Sequence, residues 1–476
     1  MGGRNNGLVP DENPNTGSPG RRWLPAMTIV LLVWLSGAAE ALARQDVMAI
    51  HSSWLIDGTG ASPLADAVVV IRGNRIEAVG TKASVSIPAG AEVIDLPGQT
   101  LMPGLIDTHS HLANRSLYPS RFSGFGPANE EMMRVIRAAR VLLLCGITTV
   151  RQVGERHFND ILFKEAVEAG MHVGPRIISS GLPITVTGGH FATEVDGADA
   201  FRKAVRENFE AGAEWIKLTH IDMTSTTGTI SSEELEAAVD EAHRLGLKVT
   251  VHATGRWGAA MKTAIEAGVD NIEHARPLTE DMVKLMLEHG TTASLTPMAY
   301  AGFFPLPETY EVMDTGVTSA SEWMDYLNSQ VDEYRKAHPE NETGDRPFVS
   351  PISGTSENWR VERDRFQALK TVQAQYLRAH RLGLRFSLGL DNRLGGMAWQ
   401  MQFLVDAGIP EMDVIQIATS TAADLIGYGD RIGTVEKGKL ADLISVEGNP
   451  LRDMSVMTRI RLVVKDGIRY DTLSWR

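Results

Sequence analysis

One unit recurs through the middle of the chain: an amphipathic helix, a glycine able to take the left-handed C-cap conformation, then a short β-rich strand. The first instances are Leu144-Cys145-Gly146 before Ile147 to Val150, Glu168-Ala169-Gly170 before Arg176 to Ser179, and Glu210-Ala211-Gly212 before Trp215 to Thr219. They continue with Arg244-Leu245-Gly246 before Lys248 to His252, Glu266-Ala267-Gly268 before Val269 to His274, Glu288-His289-Gly290 before Thr291 to Leu295, and Arg381-Leu382-Gly383 before Arg385 to Leu390. With the opening strand Leu101 to Asp107 the strands number eight. Strand-helix-strand crossovers are right-handed and keep adding parallel neighbours, so the expected fold is α/β, a (β/α)8 TIM barrel. An open doubly wound sheet is the rival, but no G-x-G-x-x-G follows a strand to support it. Ser231 with Glu234 reads as a capping box that starts a helix ahead of Leu235, Ala238, Val239 and Ala242.

The flanks follow a different rhythm. From Val47 to about Gly98 short alternating strands prevail, with a hairpin signal in Ala67 to Ile71, Gly73-Asn74 and Arg75 to Val79. Leu440 to Val446 and Arg461 to Lys465 are strand-like too, and Asp466-Gly467 is a second hairpin turn. Each flank alone would leave an apolar face uncovered, so the two are expected to pack as one small discontinuous β-sandwich from residues 44–100 and 426–476, around a barrel at 101–425. Residues 1–43 read as a signal peptide: Arg21-Arg22, the apolar run Trp23 to Leu35, then Ala41-Leu42-Ala43 as the cleavage pattern. An uncleaved anchor is the alternative, and the paired arginines hint at twin-arginine export. The expected location is outside the cytoplasm, periplasmic or secreted. No other stretch of 18 apolar residues occurs, so no stable membrane span is expected in the mature chain. Pro297 to about Arg363 breaks the repeat after the seventh strand, where it reads as a lid or specificity loop.

Composition narrows the chemistry. Acidic side chains outnumber basic ones 59 to 46, a formal charge of -13, which repels a phosphate backbone and argues against a nucleic-acid partner. Cys145 is the sole cysteine, which rules out thiolate-rich metal sites and leaves nitrogen and oxygen as the donors for any metal. His109 and His111 lie two apart on the opening strand, hence on one face, and can bind an ion together. An isolated H-x-H is a weak signal. Here Lys217, His252, His274 and Asp391 each fall at the C-terminal end of a different strand, the ends that converge on one mouth in a barrel.

Pro103 to His111, Trp215-Ile216-Lys217, Val251-His252-Ala253, Ile272-Glu273-His274-Ala275, Gly389-Leu390-Asp391 and the tail Gly433 to Asp442 together resemble the amidohydrolase superfamily. The resemblance covers about Val47 to Tyr470 and is nearest the branch of prolidase-like dipeptidases, imidazolonepropionase-like proteins and ochratoxin-hydrolysing amidases. It implies two divalent metal ions, usually Zn2+, bridged by a carbamate formed on Lys217 from CO2. His109, His111 and Asp391 would hold one ion, and His252 and His274 the other. Asp391 would take a proton as a bridging hydroxide attacks the carbonyl, then pass it to the leaving nitrogen. The sequence departs from the branch where Thr254 replaces a frequent histidine and Gln152 a frequent aspartate. His190, Arg256 and Tyr300 are candidates for substrate binding, with Arg256 suited to a carboxylate; His220 reads as structural.

The leading expectation is hydrolysis of an amide or peptide-like C–N bond in a small molecule such as a dipeptide or N-acyl amino acid. The alternative is a mononuclear hydrolase of a cyclic amide, lactone or amino-heterocycle, and Lys217 discriminates, because a carbamate bridge needs two ions. A non-catalytic binding protein is disfavoured, since every position expected to perform chemistry is filled. The sequence leaves the specific substrate open, and equally whether the chain is a homo-oligomer.

Overall fold

The computed structural model describes residues 47–113, 127–189, 193–222, 229–255, 258–297, 359–391 and 396–470. The expected signal segment and residues 298–358 of the expected lid lie outside them. In chain order the strands begin β1 (Val47–Leu55), β2 (Leu64–Arg72), β3 (Arg75–Thr81), β4 (Glu92–Pro103), β5 (Leu105–Ser110), β6 (Ile147–Gln152), β7 (Arg176–Ile178), β8 (Ile184–Thr185) and β9 (Thr193–Glu194). They continue with β10 (Trp215–Asp222), β11 (Lys248–Gly255), β12 (Asn271–Arg276), β13 (Thr292–Leu295), β14 (Phe386–Leu388), β15 (Leu443–Glu447), β16 (Ile460–Lys465) and β17 (Ile468–Arg469).

Both flanks of the chain share one sheet, ordered β17-β16-β15-β4-β1-β2-β3. β4 joins them, parallel to β1 on one side and antiparallel to β15 on the other. Strand alternation sends Ile50, Leu55, Val69, Ile71, Ile94, Leu443, Leu462 and Val464 into one buried cluster, and Val47, Ala49, Val68 and Val70 into a second. Burying each large aliphatic side chain contributes about 1.5–3 kcal/mol. Both expected hairpins form, with Arg72 opposite Arg75 and Lys465 opposite Ile468. Asp466 and Gly467 both have positive φ, +50° and +74°, as a type I′ turn requires. The two turns meet: a Cβ on Gly467 would stand 2.0 Å from the Gly73 carbonyl oxygen.

The remaining strands run parallel. β5, β6 and β7 form one ladder, and β14-β13-β12-β11-β10 another with β8 and β9 at its edge. The amides of Glu214 and Trp215 donate to the Ser179 carbonyl at 2.9 and 3.1 Å, tying the end of β7 to the start of β10. On the other side Asp391 N donates to His109 O at 2.7 Å, and Ser110 bridges Asp391 in the parallel sense. The strands of the repeat thus follow one another as β5-β6-β7-β10-β11-β12-β13-β14, with helices between them. Helix Ser232–Arg244 illustrates why these segments are helical: the Ser231–Glu234 capping box starts it, and Leu235, Ala238, Val239 and Ala242 form its buried stripe. The seven glycines expected to follow helices, Gly146, Gly170, Gly212, Gly246, Gly268, Gly290 and Gly383, have φ between +69° and +101°.

One strand differs from expectation. Leu101 to Asp107 is not a single element but is divided at Gly104. Leu101 pairs with Ser445 in the terminal sheet, whereas Leu105 N donates to Gly146 O and opens β5 against Ile147. The chain passes so close to β6 at the division that a Cβ on Gly104 would lie 2.2 Å from Thr148 Oγ1. Alternation alone cannot reveal a change of partner within an unbroken apolar run. Among the described residues no helix is long and apolar enough to cross a membrane.

Gly467→Ala is expected to lower stability by about 1–3 kcal/mol, since it adds a left-handed alanine and a backbone clash. Calorimetry reads this as a lower Tm; an unchanged Tm would show that the two turns do not abut.

Candidate metal centre

Strand ends bring the expected ligands to one place. His109 lies on β5, His111 just beyond it, and Asp391 just beyond β14; one ligand atom from each falls within 4.8 Å of the others. The His109 ring is 1% exposed, His111 21% and Asp391 13%. His111 Nε2 stands 3.9 Å from Asp391 Oδ1. Asp107 braces this corner, its Oδ1 accepting from His109 N at 3.1 Å and Leu390 N at 2.9 Å. Asp391 has a φ of +53°, a left-handed conformation that costs a non-glycine residue energy and aims its side chain.

A second irregularity places His274. Consecutive residues of a strand point to opposite faces, yet Glu273 and His274 both meet His109. Glu273 Oε2 is 2.5 Å from His109 Nδ1, and the rings of His274 and His109 are 4.5 Å apart. Left-handed His274 (φ +66°) and Ala275 (φ +46°), with a register shift in the β11–β12 pairing, make this turn. His274 Nδ1 is held by Thr296 Oγ1 at 2.5 Å, and His274 Nε2 lies 3.1 Å from His252 Nδ1. Two nitrogens each about 2.05 Å from one tetrahedral ion would stand about 3.3 Å apart, so this pair is spaced for a shared ion.

Charge is concentrated behind these ligands. Arg151, buried on β6, donates to Thr108 O at 2.8 Å, Asn271 Oδ1 at 3.0 Å, Glu273 Oε1 at 2.8 Å and Ser294 Oγ at 2.9 Å. Burial and then the Lys217 charge hold His109 well below the usual histidine range; burial and then His252 do the same for His274. Both shifts favour the neutral imidazole, the form that binds metal. Burial brings the Lys217 amine down to about 8. His109 Nε2 and Lys217 Nζ are buried with no hydrogen-bond partner among the described residues. Orphaned buried nitrogens beside neutral imidazoles and a carboxylate are the donor set of a borderline divalent cation, so the residues fit a metal site.

Other expectations land elsewhere. Gln152 stands outside the ligand cluster: its amide oxygen accepts from Leu112 N at 3.3 Å and its nitrogen donates to Glu155. His190, Arg256 and Tyr300 lie outside the described residues, as does the His220 side chain. Sequence reasoning gave no role to Arg151, Glu273 or Asp107. The signal was present, since ionised side chains inside short core strands must be paired to be tolerated.

Arg151→Met leaves the Glu273 carboxylate buried without its counter-charge, and is expected to cost about 3–5 kcal/mol. Urea unfolding measures it; a loss below about 1 kcal/mol would mean that water reaches the pair.

Comparison with known proteins identifies the family. Residues 100–469 match the Amidohydrolase family. Ochratoxinase of Aspergillus niger is 26% identical over 463 residues, covering 88% of this chain and 84% of that one. Imidazolonepropionase of Idiomarina loihiensis is 26% identical over 291 residues, covering 54% of this chain and 70% of its own length. Among solved structures, a Xaa-Pro dipeptidase with methionine bound in its active site superposes with a TM-score of 0.69 at 28% identity, over 89% of this chain and all of that one. The chain belongs to the amidohydrolase family and is a metal-dependent hydrolase acting on C–N bonds.

Proposed function

We propose that this hydrolase cleaves an amide or peptide-like C–N bond in a dipeptide or N-acyl amino acid, with two divalent ions at the C-terminal mouth of its parallel strands. In this reading the eight strands close as a (β/α)8 barrel over residues 101–425, the terminal sheet curls into a small sandwich, and residues 1–43 direct export to the periplasm or beyond. His109, His111 and Asp391 would hold one ion, His252 and His274 the other, with a carbamate on Lys217 between them.

Lys217 carries the argument. Its side chain is buried, 3% exposed, and its amine has no hydrogen-bond partner among the described residues. An isolated ammonium is costly in such a place. A neutral amine can take up CO2, and the resulting anion is stabilised beside two cations. Zinc suits the nitrogen and oxygen donors. Ions held there would supply an acidified water and polarise the scissile carbonyl. Asp391 would accept the proton of the attacking water on its carboxylate and return it to the leaving nitrogen. Thr296 Oγ1, 2.5 Å from His274 Nδ1, would keep that ring oriented. Similarity to a Xaa-Pro dipeptidase supports the dipeptide class; His190, Arg256 and Tyr300 are the proposed substrate contacts, Arg256 to a carboxylate.

One observation favours a second reading, a mononuclear hydrolase of a cyclic amide, lactone or amino-heterocycle. Among the described residues, one set of three His, Cys, Asp or Glu side chains has converging ligand atoms, His109, His111 and Asp391, whereas His252 and His274 converge only as a pair.

Elemental analysis of the full chain beside Lys217→Ala separates the two, with a dipeptide and N-acyl amino acid panel run on the same samples. About two ions per wild-type chain are expected, with metal and at least a hundredfold of activity lost in the variant (of order 10²). One ion, retained after the substitution, would establish the mononuclear reading instead.

A further inference from the structure

We propose that Glu273 is a positioning residue for the metal centre: its carboxylate fixes His109 as the Nδ1–H tautomer, so that Nε2 alone offers a lone pair to the ion, and Arg151 anchors that carboxylate. The inference rests on the metal-binding reading of the site.

Glu273 is fully buried, and both of its carboxylate oxygens are engaged. Oε1 accepts from Arg151 Nη2 at 2.8 Å and from Thr250 Oγ1 at 2.5 Å, and Oε2 faces His109 Nδ1 at 2.5 Å. A carboxylate beside a permanent guanidinium can only accept, so the ring nitrogen facing it is the one that carries hydrogen. A neutral imidazole has one such hydrogen, and Nε2 is left bare. That atom is buried, without a hydrogen-bond partner among the described residues, as a nitrogen reserved for a cation should be. The same guanidinium also fixes the ring's backbone, because Arg151 Nε donates to the carbonyl of Thr108, the residue before His109. One cation thus holds His109 twice, through its chain and through its ring. A partner of this kind that accepts from a metal-binding histidine orients the ligand and raises its basicity.

The competing explanation is that Glu273 serves only as the counter-charge of Arg151. Zinc affinity, measured on the full chain by competition with a chromophoric chelator, and 15N spectra of histidine-labelled, metal-free protein distinguish them. Glu273→Gln is expected to bind zinc about 10–100-fold more weakly, with His109 losing its Nδ1–H signature. Affinity within about twofold of wild type and unchanged spectra would overturn the proposal. Because Arg151 is left uncompensated in that variant, Arg151→Met/Glu273→Gln is measured alongside it. With both charges gone, affinity that stays weakened supports the positioning role, whereas recovery to the wild-type value overturns it in favour of the counter-charge. Wild-type protein that takes up no zinc would instead sink the metal reading itself, an outcome distinct from a wild type and variant that bind equally well.

Discussion

The ion pair of Glu273 and Arg151 stands at the middle of the parallel strands, and the arrangement around it follows from the cost of burying charge. Neither group tolerates an apolar interior alone. Their hydrogen bonds are supplied from strand after strand: Thr108 on β5, Thr250 on β11, Asn271 on β12 and Ser294 on β13, with Ser387 on β14 reached through Thr108 Oγ1 at 2.8 Å. A slip of one residue in any of these strands would turn its polar partner to the opposite face. The pair therefore specifies register, and with it where each strand delivers its last residue. The candidate ligands lie on these strands or just beyond them, so their placement is inherited from the polar core the strands share.

Much of this could be read from the sequence, for reasons that differ residue by residue. The glycines after each helix were legible because few other residues adopt that conformation cheaply, and they counted the strands. Lys217, His252, His274 and Asp391 drew notice because a periodic fold marks where strands fall, although Lys217 and His252 sit inside β10 and β11, which run on to Asp222 and Gly255, rather than at their ends. The left-handed turn at His274 was not legible, since histidine carries no signature of it, and the alternation rule would have put Glu273 and His274 on opposite faces. The division at Gly104 was hidden in a continuous apolar run. Arg151 was visible as a charge within a strand, but its partners sit on strands far along the chain, and one sequence does not pair them.

Two of the site's side chains, His274 and Asp391, are carried by residues with positive φ. Each such residue costs about 1–3 kcal/mol and persists only where its surroundings determine it. Here the surroundings are the Thr296 hydroxyl for His274 and the His109 carbonyl for Asp391. The ligand end of the molecule is thus set by strands and their neighbours. His190, Arg256 and Tyr300, the residues proposed to recognise substrate, lie outside the described residues.

The sheet that unites the two flanks carries a consequence for how the molecule assembles. Ser445 on β15 donates to the Gln99 side chain on β4 across 346 positions of sequence. Pairing so distant closes a very long loop, a slow event because its entropic cost precedes any reward. During synthesis β4 therefore waits, one edge open, until nearly the whole chain has emerged, while the helix-and-strand units between can already condense from local contacts. An open edge is a template for other chains. The terminal sheet is then completed when β15 docks onto that edge, with β16 and β17 beyond it.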